Sequence, residues 1–147
     1  MLELVLRLDP DARAELDAIL LSGDAPLWVP QDGPQLNAYL SQADIVFSGG
    51  AAGGGKTGLL LGLALTSQCH SIIFRREAVQ LVGIEERMSS ILGTRKGYNS
   101  QDGVWRLPGG RVMELGSVKE PGDWIKYQGR PHDANLFDEI CHFTEDQ

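Results

Sequence analysis

Apolar residues near the start of the chain recur at helical spacing: Ala12, Leu16, Ile19 and Leu20 share one face. Asp9-Pro10 supplies a favoured N-cap and a favoured first helical residue, and Gly23 is placed to end the helix. A short apolar stretch, residues 2–8, precedes this helix and a proline-rich loop, 24–34, follows it. A second short helix is expected over 35–42. Residues 1–43 thus read as a helical arm docked against an α/β core at 44–147.

Within that core the pattern alternates between strand and helix. Ile45, Val46 and Phe47 form a three-residue apolar run, expected as a buried strand that feeds a glycine loop. Residues 56–68 contain no breaker after Gly62 and read as a buried helix, and Ser71-Ile72-Ile73-Phe74 as the next strand. Val79, Val82, Met88, Ile91 and Leu92 keep helical spacing over 77–92, and Gly93 can stop that helix. The period then changes. Residues 104–107 and 111–115 flank Pro108-Gly109-Gly110, a turn sequence, which predicts a β-hairpin. Ala134-Asn135-Leu136-Phe137-Asp138-Glu139 reads as a final strand ending in two acids, whose Asn135 amide needs a partner if the strand is fully buried. This order predicts an α/β fold with a mostly parallel sheet and right-handed crossovers.

Composition changes this picture little. The 147 residues are one domain's worth, with 42% hydrophobic and 22% charged residues, ordinary values for a globular protein. The longest apolar run is far too short to span a bilayer, so no membrane partner is expected. Cys69 and Cys141 lack a second ligand at zinc spacing, and the expectation is that both are buried free thiols in a reducing setting. Net charge is −7, but residues 1–48 carry eight acids and two bases, leaving twelve acids and eleven bases for the remainder. Between Arg75 and Arg130 ten bases face seven acids, which leaves room for phosphate contacts without demonstrating any.

The chemistry concentrates in Gly50-Ala51-Ala52-Gly53-Gly54-Gly55-Lys56-Thr57, which fits G-x-x-x-x-G-K-[ST] at every fixed position. A triphosphate needs several backbone N–H donors converging at short range, which requires glycines that tolerate unusual dihedrals and bring no side chain. The following helix N-terminus adds partial positive charge. Lys56 is expected to reach the β- and γ-phosphates and the Thr57 hydroxyl to ligate Mg²⁺. Asp138, at the C-terminal end of its strand, is the expected second Mg²⁺ group, and Glu139 the general base that polarises the attacking water. The implied cofactors are ATP and Mg²⁺.

The residues also resemble a family. Phe47-Ser48 with the loop that follows is similar to the ATPase motif of tailed-bacteriophage terminase large subunits, the motors that pump DNA into proheads. So are residues 124–133, Phe143-Thr144-Glu145, Ile73-Phe74-Arg75-Arg76-Glu77 and Gly33-Pro34-Gln35, and the resemblance covers about 33–147. It implies a P-loop NTPase-type core with Lys56, Thr57, Asp138 and Glu139 at the nucleotide and metal positions and Gln35 near the adenine. Arg75 or Arg76 is a candidate for a γ-phosphate-sensing or trans-acting arginine; the alternative is an ordinary solvated strand end. Many terminases carry an arginine inside the phosphate loop, where this chain has Ala51 and Ala52, which favours Arg75 or Arg76 for the role. For residues 124–129 either an approach to DNA or core packing of Trp124 and Tyr127 is open, packing being preferred.

The resemblance implies partners as well: double-stranded DNA, a portal protein, a small terminase subunit and copies of the chain in a ring, in the cytoplasm of an infected bacterial host. In the family a further strand follows the acid pair, lying between it and the phosphate-loop strand, and then a nuclease domain. Neither is found by Gln147, so the chain is expected to be an N-terminal fragment with an incomplete sheet that leaves apolar side chains uncovered. Two alternatives stay open: another P-loop ATPase, helicase-like or RecA-like, and a non-catalytic nucleotide-binding module.

Overall fold

The computed structural model describes residues 26–50 and 53–145; the expected helix over residues 10–22 and the loop positions Ala51 and Ala52 lie outside the described residues. Its elements are α1 (Pro34–Tyr39), α2 (Lys56–Thr66), β1 (His70–Arg75), α3 (Leu81–Leu92), β2 (Tyr98–Asn99), β3 (Val104–Arg106), β4 (Val112–Ser117) and β5 (Ala134–Phe137). Four short 3₁₀ turns join them, at Ala78–Gln80, Pro108–Gly110, Asp123–Tyr127 and Ile140–His142.

Local chemistry accounts for most of these boundaries. Proline at the first turn starts α1, and Gly93, left-handed at φ 65°, ends α3. Glu77 and Gln80 form a reciprocal capping box where β1 gives way to helix. Gly109 adopts φ 73° between β3 and β4, so the Pro-Gly-Gly sequence does make the expected hairpin turn.

The five strands form one open sheet in the order β2-β3-β4-β1-β5. β1 pairs in parallel with β4 on one side and with β5 on the other, whereas β2-β3 and β3-β4 are antiparallel. The fold is therefore α/β with a mixed sheet rather than a mostly parallel one. The hairpin expected from sequence supplies antiparallel pairs at one edge, while parallel pairing is confined to β1 and its neighbours.

The apolar run at residues 45–47 corrects the sequence reading. It joins no strand, and Ile45, Val46 and Phe47 are exposed. Apolar character alone does not make a strand; a ladder partner is required, and no described strand offers one. β5 is thus an edge strand, with Phe137 at 45% exposure and Asn135 turned to solvent, so the Asn135 amide needs no buried partner. α1 also ends earlier than expected, at Tyr39.

β1 has four consecutive buried residues, 71–74, because both faces of the sheet are covered there. On one face Ile73 joins Leu61, Ala64 and Leu65 of α2, Ile84 and Met88 of α3, and Trp105 and Met113 of the hairpin. On the other, Ile72 and Phe74 pack against Val118, with Tyr127 and Phe143 at the margin. The Tyr127 ring meets Phe74 edge-on at 4.9 Å and its hydroxyl exchanges hydrogen bonds with the Ser117 backbone, so Tyr127 does serve packing. Trp124, by contrast, is 47% exposed, against the core role expected for it. Cys69 and Cys141 are free but exposed, not buried: Cys69 precedes β1, and Cys141 sits in the 3₁₀ turn Ile140–His142 beyond β5.

Candidate functional site

The glycine loop and the acid pair lie 81 positions apart in sequence, at Thr57 and Asp138, and the fold joins them. α2 begins at Lys56 directly after Gly55, which takes the left-handed conformation at φ 76° that a side chain would strain. A Cβ at Gly55 would also stand 2.7 Å from Gln35 Nε2. Gly50 and Gly53 likewise have positive φ, 143° and 83°, conformations that favour glycine. The α2 N-terminus opens at this loop with the N–H groups of its first turn, a place suited to anionic oxygens. Lys56 Nζ donates to the Gly50 carbonyl at 2.8 Å, folding the lysine back across the loop.

β5 brings the acids. Its backbone continues past Phe137 so that Asp138 N donates to Phe74 O at 3.0 Å, fixing Asp138 beside the end of β1. The Thr57 hydroxyl donates to Asp138 Oδ2 at 2.9 Å. Arg75, the last residue of β1, reaches the same oxygen through Nη2 at 2.7 Å and Nε at 3.1 Å. Its Nη1 donates to Glu139 Oε2 at 3.1 Å. The Asp138 side chain is only 4% exposed, so this carboxylate is compensated by a guanidinium and a hydroxyl.

Glu139 is the one non-glycine among the described residues with positive φ, at 56°, a conformation that costs about 1–2 kcal/mol for an ordinary side chain. It opens the turn Ile140–His142 and places its carboxylate between Arg75 and His142 Nδ1, the latter at 3.3 Å. Arg76 points elsewhere: its Nη1 donates to the His142 carbonyl at 3.0 Å. Gln35 is buried on α1, where its amide donates to Gly55 O at 2.8 Å and its Oε1 accepts from Gln31 N. Gln35 therefore touches the glycine loop itself. Beside it an open cleft of about 310 Å³ runs between α1 and the loop's N-terminal flank, lined by Asn37, Ala38, Val46, Phe47 and Gly49 among others.

Of the sequence-selected residues, Gly50, Gly53, Gly54, Gly55, Lys56, Thr57, Gln35, Arg75, Asp138 and Glu139 come together in this region, Arg76 stands at its margin, and Ala51 and Ala52 are outside the description. Sequence reasoning missed that Arg75 clamps both acids; a strand-end arginine and a strand-end acid pair become neighbours only through the β1-β5 pairing. Thr57 Oγ1 and Asp138 Oδ2 are oxygens of the kind a hard divalent cation takes, but Oδ2 already accepts from Thr57 and twice from Arg75, so an ion held there would displace those donors.

Compared with protein-family models, curated proteins and solved structures, the chain matches none. Among the described residues no helix is long and apolar enough to cross a membrane.

Proposed function

We propose that this chain binds ATP with Mg²⁺ on the loop at residues 49–57 and hydrolyses it. The observation that carries the reading is the Thr57–Asp138 hydrogen bond, 2.9 Å long, which joins the two halves of the motif pair across the fold. Backbone N–H groups at the α2 N-terminus receive the phosphates, and Lys56 exchanges the Gly50 carbonyl for a phosphate oxygen. Thr57 and Asp138 are the residues that would hold Mg²⁺, which when bound neutralises phosphate charge. Glu139 is the nearest further carboxylate for orienting and deprotonating water, and doing so requires Arg75 to release it. Released from Glu139, and from Asp138 where Mg²⁺ would take that oxygen, Arg75 stands where it can meet charge developing on a phosphoryl group.

The wider reading, a subunit of a viral DNA-packaging motor working on duplex DNA in a ring at a portal, rests on the sequence resemblance. It is supported by the motif pair, by Gln35 against the loop, and by Arg75 at the acids. One observation favours a second reading, a nucleotide-binding module without turnover: the Glu139 carboxylate is engaged by both Arg75 and His142.

Single-turnover hydrolysis and ATP binding, measured on the same variants, separate the two. Lys56→Ala should abolish binding, whereas Glu139→Gln should preserve binding and stop turnover. Equal loss of binding in both variants would remove Glu139 from the general-base role, and wild-type binding without hydrolysis would select the binding module.

A further inference from the structure

A second cluster of side chains lies at the opposite ends of the same parallel strands, independent of the nucleotide reading. His70 opens β1, Glu114 sits in β4 opposite Ile72, and His132 closes the loop that enters β5. Glu114 Oε1 is 3.1 Å from His70 Nε2 and 3.4 Å from His132 Nε2, and the two rings meet edge-on with centroids 4.7 Å apart. One donor atom from each of the three residues falls within 4.8 Å of the other two.

Two features separate this cluster from an ordinary solvated ion pair. The His132 side chain is 4% exposed, and its Nε2 is buried with no hydrogen-bond partner despite its closeness to Glu114. A buried imidazole nitrogen left unbonded costs free energy that some partner normally relieves. That nitrogen lies 3.4 Å from Glu114 Oε1. The second feature is the fixed scaffold. Asp133 Oδ2 accepts from Cys69 N at 3.0 Å and His70 N at 2.7 Å, and Asp133 N donates to His70 O at 2.7 Å. This stitches the loop bearing His132 to the residue bearing the other imidazole. Arg130 Nη1 holds the second Glu114 oxygen, Oε2, at 3.1 Å, leaving Oε1 directed at the histidines. An oriented carboxylate with an outer hydrogen-bond donor is the usual support of a metal-ligating acid.

We propose that His70, Glu114 and His132 bind one divalent transition-metal ion of the Zn²⁺ type. Two imidazoles and a carboxylate are the ligand set of open zinc sites, with a fourth position left for water. Zinc–nitrogen and zinc–oxygen bonds of about 2.0–2.1 Å set tetrahedral ligand separations near 3.3 Å. The observed 3.1 and 3.4 Å between the carboxylate oxygen and the two imidazole nitrogens bracket that value, and all three donor atoms lie within 4.8 Å of one another. The ion would tie the start of β1, the middle of β4 and the entry to β5 together, well away from the mouth of the phosphate loop.

The test is titration of the 147-residue chain with Co²⁺, followed by its visible absorption, with Zn²⁺ as competitor. One equivalent should bind with a nitrogen–oxygen tetrahedral spectrum that Zn²⁺ displaces. His70→Ala, at a side chain already 35% exposed, should fold normally and weaken binding at least tenfold. His132→Ala, checked for folding by circular dichroism, should do the same. Thr57→Ala and Cys69→Ser should leave the spectrum unchanged, which distinguishes this site from the Mg²⁺ position and from the neighbouring thiol. Absence of stoichiometric binding, binding indifferent to His70→Ala, or loss in the Thr57 or Cys69 variant would each overturn the proposal.

Discussion

Replacing Arg75 with alanine removes three charge-assisted hydrogen bonds at once, two to Asp138 Oδ2 and one to Glu139 Oε2. The Asp138 carboxylate, 4% exposed, would then keep one side-chain donor, the Thr57 hydroxyl. Breaking a buried ion pair from one side costs about 3–5 kcal/mol when the remaining charge stays dry. Here Arg75 is itself 16% exposed, so its removal opens a path for water to the carboxylate. The expected loss is therefore smaller, about 2–3 kcal/mol, read as a lowered urea midpoint at unchanged slope. Arg75→Lys keeps the charge without the planar fork and should recover only part of the loss. Adding Asp138→Asn to Arg75→Ala should restore stability, because the uncompensated charge is gone. Arg75→Ala within about 0.5 kcal/mol of wild type, the usual range for a surface substitution, would refute the reasoning. So would an Asp138→Asn effect that is the same with and without Arg75.

Gly62→Ala tests the packing of Trp28, whose ring carbons would lie 2.4 Å from the new Cβ. Overpacking of about 1–3 kcal/mol should exceed the gain of about 1 kcal/mol in helix propensity, and the sign should reverse in a Trp28→Ala background; thermal melts of the four proteins check this. Gln35→Ala removes two buried hydrogen bonds, to the Gly55 carbonyl and from Gln31 N, each worth about 1 kcal/mol, so stability should fall by about 1–2 kcal/mol, read as a lower urea midpoint, and ATP binding measured by calorimetry should weaken with the loosened loop. Asp123 accepts from the backbone N–H groups of Glu120 and Lys119, with Lys126 nearby, which lowers its carboxyl below the ordinary value of 3.8. Its contribution to stability is therefore present above pH 3.8 and lost as pH falls through the lower folded value; an NMR titration midpoint at or above 3.8 would contradict this.

What the sequence disclosed was local in origin. The glycine loop and the helix after it, the Pro-Gly-Gly hairpin and the Gly93 stop each depend on a few adjacent residues whose dihedral needs are carried by residue type. The misreadings came from features set by distant partners. The run at residues 45–47 has strand-like composition but no ladder. Asn135 is harmless because β5 is an edge, and both cysteines are exposed outside the strands. In the candidate site, Lys56, Thr57, Asp138 and Glu139 were identifiable from their motif positions. Arg75 was visible as a candidate, but its grip on both acids follows from the β1-β5 pairing. The His70-Glu114-His132 cluster had no sequence signature at all. Its members are 44 and 18 residues apart, and only the parallel register of β1, β4 and β5 brings them together.

In the proposed function Thr57 and Asp138 form the metal side of a single nucleotide site. Calorimetric titration of ATP into the full chain, with and without Mg²⁺, tests it most directly when repeated on Thr57→Ala and Asp138→Asn. Wild type should bind one ATP, Mg²⁺ should tighten binding at least tenfold, and either substitution should erase the Mg²⁺ effect while Lys56→Ala erases binding itself. Wild-type binding indifferent to Mg²⁺, or a Mg²⁺ effect that survives both substitutions, would contradict it.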